Sequence, residues 1–198
     1  MSSLDKRKDK LTALFEKLQN KGCFLEVAFF DVLESEELDC LELSKKYTAK
    51  GLRQFYKQRG WKTYTRKLFG QRISVTDFFG ERFDLVEKQL LFDLKKTKYP
   101  HLNQLYSNTL TKGFANAFMQ PLYSYKNFSK EEQQKLFIEL YEELIIDYKN
   151  HKTYIVLWEA RSAQMLTEEL SYWGNTLWSI YHPSLRWFIT VLAPAQQP

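Results

Sequence analysis

Phe24-Leu25-Glu26-Val27-Ala28-Phe29-Phe30-Asp31-Val32-Leu33 holds eight apolar residues in ten. In so apolar a run the hydrophobic period does not separate a buried helix from a buried strand. We read it as a helix, with a strand as the alternative. The residues around it carry clearer signals. Leu4, Leu11, Leu14, Phe15 and Leu18 lie on one helical stripe that Lys21-Gly22 stops. Beyond the run, Ser35 is placed to cap a helix through Glu36, Glu37, Leu38, Leu41 and Leu43. Its acids fall in the first turn and Lys45 and Lys46 in the last, the order the helix dipole favours.

The next segment has the most uneven charge in the chain. Residues 43–76 carry ten basic side chains and no carboxylate, whereas 1–42 have net charge −4 and 77–198 have −1. A field concentrated in this way steers a polyanion to one face. Six aromatics (Tyr47, Phe55, Tyr56, Trp61, Tyr64, Phe69) are interleaved with the cations, adding flat faces on which bases stack. Thr48-Ala49-Lys50-Gly51 reads as a turn. Leu52, Phe55 and Tyr56 then face one side of a short helix, and Lys50, Arg53 and Lys57 another. A helix ending at Lys46, a turn and a second helix ending before Gly60 outline a helix-turn-helix reader. Trp61 to Phe69 continues as a turn-rich helix, and Arg72 to Thr76 alternates like a strand.

Past Gly80 the helical period returns. Phe83, Val86, Leu90 and Leu94 form one stripe ending near Pro100, and Leu102, Leu105, Tyr106, Leu110, Phe114 and Phe118 form another. Ser129-Lys130-Glu131-Glu132 is a capping box ahead of a helix through Leu136, Leu140, Leu144 and Tyr148. Ile155, Trp158, Leu166, Leu170, Trp173, Leu177 and Tyr181 give a last long stripe.

The 198 residues, 44% hydrophobic and 16% aromatic, supply an ample core. Cys23 and Cys40 sit in apolar surroundings that suit thiols in a reducing, cytoplasmic compartment. The first ten residues lack the apolar stretch of a secretory signal, and no run approaches the roughly 18 apolar residues of a membrane span.

Signals for chemistry are sparse. Asp77, Glu81 and Asp84 have helical spacing that suits Mg²⁺ ligation, but equally an acidic helix start. His101, His151 and His182 lack the spacing that places two imidazoles on one metal. With no phosphate-binding glycine loop, serine elbow or Cys-x-x-Cys, we assign no catalytic residue, metal or cofactor.

The expected fold is mainly α, a multi-helix protein. Residues 1–76 form a basic, helix-turn-helix-like unit, and 77–198 a helical bundle for association or ligand binding. The two are also readable as one continuous domain. The alternative is α+β, with short strands near 24–33, 72–76 and 153–158. The expected function is nucleic-acid binding, with DNA favoured over RNA, as in transcription regulation. Lys50, Arg53, Tyr56, Lys57, Arg59, Trp61, Lys62, Arg66 and Lys67 are the contact residues. Trp158, Trp173, Trp178, Tyr181 and Trp187 are expected to form a homodimer surface or an apolar pocket. Docking of an acidic protein and metal-dependent nuclease chemistry are the competing readings.

Overall fold

The computed structural model describes residues 3–23, 25–33, 39–58, 60, 67–92, 113–119, 127–146, 152–159 and 176–193. Helix α1 (Ser3–Asn20) leads into β1 (Glu26–Asp31), α2 (Cys40–Gln58) and β2 (Gly70–Ile73). Short α3 (Val75–Phe79) precedes a small hairpin of β3 (Phe83–Asp84) and β4 (Gln89–Leu90). Then come α4 (Phe114–Met119), α5 (Lys130–Leu144), β5 (Tyr154–Trp158), β6 (Thr176–His182) and β7 (Trp187–Ala193).

Five strands form one antiparallel sheet in the order β1-β7-β6-β5-β2. Its register sets the layers, because residues directly opposite each other share a face. Ile73, Ile155, Ile180, Ile189 and Phe29 run across the sheet on one side, where they pack with residues of α1, α3, α4 and α5. Arg72, Val156, Ser179, Thr190 and Ala28 run across the other, which α2 covers with Leu52, Phe55 and Tyr56. The sheet takes β1 and β2 from before residue 76 and β5, β6 and β7 from after it.

This is an α+β fold, and the mainly-α expectation is overturned by the sheet. The run opening at Phe24 supplies an outer strand. It is apolar on both sides because Ala28 and Phe30 pack towards α2 while Val27 and Phe29 pack towards α1. Central strands buried on both faces lose the apolar-polar alternation that reveals a strand. All seven residues of β7 and six of the seven in β6 are buried, and part of the stripe assigned to a long final helix lies in β5 and β6. Their β-branched and aromatic residues fit a pleated surface better than a helix.

The helix-turn-helix outline also fails, since α2 runs without interruption through Thr48–Gly51. A Cβ on Gly51 would lie 2.8 Å from Thr190 Oγ1, so this glycine permits close docking of helix on sheet. With Ser44 and Thr48, both fully buried, it forms a narrow contact row. The helix start is set by Asp39, whose carboxylate accepts from the N–H groups of Leu41 and Glu42 at 2.7 and 2.9 Å; Ser35 lies outside the described residues. The helix expected from Phe83 is the β3–β4 hairpin, whose turn forms as Asp84 Oδ1 accepts from the Val86 and Glu87 N–H groups. The capping box holds: Ser129 and Glu132 bond each other's backbone at the start of α5. Among the described residues no helix is long and apolar enough to cross a membrane.

Candidate nucleic-acid interface

Helix α2 divides cleanly into two faces. Leu43, Ser44, Tyr47, Thr48, Gly51, Leu52, Phe55 and Tyr56 are buried against the sheet. Lys46, Lys50, Arg53 and Lys57 are exposed, and their spacing of four, three and four residues aligns them on one stripe. At 1.5 Å per residue the stripe is about 16 Å long. Gln54 and Gln58 flank it, both exposed. The only acid in α2 is Glu42, which Lys45 Nζ holds at 2.6 Å.

Local packing props up the amino-terminal half of this stripe. The Tyr47 hydroxyl donates to the Asp31 carbonyl at 3.2 Å. Lys50 Nζ lies 4.2 Å, and Lys46 Nζ 5.8 Å, from the centre of the Tyr47 ring. A cation above a ring face is attracted by the ring's quadrupole, so the two ammonium groups converge over one buried anchor. Arg53 and Lys57 join no ion pair among the described residues.

Two further cations lie towards β2. Arg72 is exposed and opposite Val156, hence on the α2 side of the sheet, with its guanidinium 4.8 Å from the centre of the Tyr154 ring. Lys67, also exposed, sits 5.6 Å from the centre of the Phe69 ring. Of the expected contact residues, Lys50, Arg53 and Lys57 are brought together on α2, and Lys67 lies apart, just before β2. Tyr56 is 3% exposed within the core, so its ring is closed to bases. Arg59, Trp61, Lys62 and Arg66 lie outside the described residues. Lys46 and Arg72 were missed. Lys46 is four residues before Lys50, and the stripe would have included it had Thr48–Gly51 not been read as a turn.

The aromatic group expected to mediate association lies in the interior. Trp158, Trp178, Tyr181 and Trp187 are at most 6% exposed, and Trp173 lies outside the described residues. Trp158 Nε1 donates to Ser179 Oγ at 3.0 Å. Trp178 meets Phe78 edge-on, and Trp187 stacks between Phe29 and His182. These are core contacts, not a surface.

The three carboxylates weighed as metal ligands have local structural tasks or stand exposed. Asp77 closes a capping box with Ser74, Asp84 holds the hairpin turn, and Glu81 faces solvent. Among the described residues no group of His, Cys, Asp or Glu converges in a way that would hold a metal ion. His182 is fully buried, its Nε2 2.9 Å from the Leu144 carbonyl at the end of α5; His101 and His151 lie outside the described residues. Cys23 and Cys40 form no disulfide.

Comparison of the chain with protein-family models, curated proteins and solved structures finds no match.

Proposed function

We propose that the protein binds nucleic acid through its phosphate backbone, with the exposed stripe of α2 as the primary contact and Arg72 as an outlying one. The observation that carries this reading is the alignment of Lys46, Lys50, Arg53 and Lys57 on one solvent face without a carboxylate among them. Four aligned cations recruit a polyanion by releasing its condensed counterions, which requires no reading of bases. The burial of Tyr56 favours this charge-led mode over stacking on the helix.

The test is titration of labelled duplex DNA and single-stranded RNA at several salt concentrations. Replacing Lys50, Arg53 and Lys57 together with Ala removes three exposed charges and leaves the buried face of α2 intact. The slope of log K against log salt should fall by about 2.7 on duplex DNA, from roughly 0.9 per lost phosphate contact. An unchanged slope rejects the stripe as the contact. Salt-sensitive binding to an acidic polypeptide, with none to either nucleic acid, would transfer the same surface to an acidic protein partner.

A further inference from the structure

Strand β1 is an outer strand of the sheet, and its hydrogen-bonding geometry leaves a short, defined opening on the outer side. The Val32 N–H donates to the Arg186 carbonyl at 2.8 Å, continuing the register of β1 on β7. In an antiparallel ladder alternate residues bond the same neighbour, so Glu26, Ala28, Phe30 and Val32 turn their backbone groups to β7. Leu25, Val27, Phe29 and Asp31 turn theirs outward. Two outward carbonyls are taken by side chains: Gln19 Nε2 donates to that of Leu25 at 3.5 Å, and the Tyr47 hydroxyl to that of Asp31 at 3.2 Å. Between these caps the N–H and C=O of Val27 and Phe29 meet no partner among the described residues.

We propose that this opening pairs with β1 of a second copy of the chain, antiparallel, about a two-fold axis at Ala28, joining two five-stranded sheets into one. Outward residues must face outward residues, which leaves three registers near the centre of the strand. Centring on Val27 would call on the Leu25 carbonyl and centring on Phe29 on the Asp31 carbonyl, both already capped. Centring on Ala28 pairs Val27 with the partner's Phe29 and Phe29 with the partner's Val27, satisfying all four open groups on each copy. It sets valine against phenylalanine, a favourable cross-strand pair, and alanine against alanine. Glu26 then faces the partner's Phe30 and Asp31 the partner's Leu25, so no two carboxylates oppose. Pairing β1 on β2 of another copy would run head to tail and close only where successive rotations complete a ring, whereas the two-fold pairing closes with two copies.

Sedimentation of the full chain from micromolar to hundreds of micromolar, with residue-resolved amide exchange at both ends, tests the pairing. A reversible dimer is expected, in which Val27 and Phe29 amides become protected as concentration rises while Ala28 and Phe30 are protected throughout. Val27→Pro deletes an outward N–H without removing a bond to β7, and Val27→Lys keeps the N–H but adds an edge charge. Each should weaken the dimer at least ten-fold while circular dichroism stays native. A monomer at every concentration, Val27 and Phe29 amides protected in the monomer, a co-purifying peptide on this edge, or a dimer indifferent to both substitutions overturns the proposal.

Discussion

Gly51 stands in the middle of a 19-residue helix, where propensity alone favours alanine by roughly 1 kcal/mol. Close packing reverses that preference, since the added Cβ would lie 2.8 Å from Thr190 Oγ1 and 2.9 Å from its Cβ. Gly51→Ala is expected to destabilise the protein by about 1–3 kcal/mol, the usual cost of overpacking; a stabilised variant in urea unfolding would refute the docking geometry. The same residue shows why the turn was misread. Glycine marks both a turn and a close approach of two elements, and a single chain does not say which. Trp178 and Trp187 teach a related lesson. Read as helical residues they were assigned to a homodimer surface or an apolar pocket, but each belongs to a strand, where the period is two. Trp178→Ala or Trp187→Ala should therefore cost about 3–5 kcal/mol, as core truncations do, and a folded, fully stable variant would count against their burial.

At the scale of the element, legibility followed locality. The start of α5 was readable because a capping box is a contact between residues three apart. Ser129→Ala should lower stability by about 1 kcal/mol in thermal or denaturant unfolding, and no change would mean the cap is dispensable. Glu131, in the same turn, has its carboxyl held below the ordinary carboxylate range by the backbone N–H at its own position and then by the Ser129 side chain. A depressed carboxyl stabilises the folded state above its unfolded value, and that contribution is lost as pH falls through the lowered one. The first turn of α5 should accordingly be the part of the helix that loosens in acid, visible as faster exchange of its amides; exchange there that does not change would contradict this. The hairpin of β3 and β4 was illegible for the opposite reason. Phe83, Val86 and Leu90 mimic a helical stripe, yet Val86 is 88% exposed and contributes nothing to a buried face. What fixes that hairpin is Gln134 of α5, bonded to the Leu90 N–H and the Lys88 carbonyl, a partner more than forty residues away.

For the molecule as a whole, the basic segment was visible as composition, but its form depended on the sheet. One face of the sheet buries the apolar half of α2, and only then do Lys46, Lys50, Arg53 and Lys57 share the solvent side. The strand order has a different consequence, in time. Strand β1 is hydrogen-bonded to β7, so the early run at residues 26–31 cannot find its neighbour until residues 187–193 exist. At roughly 5–20 residues per second of synthesis, that is a wait on the order of 10–30 s. Throughout it, Val27, Phe29 and Phe30 travel on a nascent chain with an unpaired strand on offer. The sheet therefore closes through contacts of long sequence separation, which fold slowly.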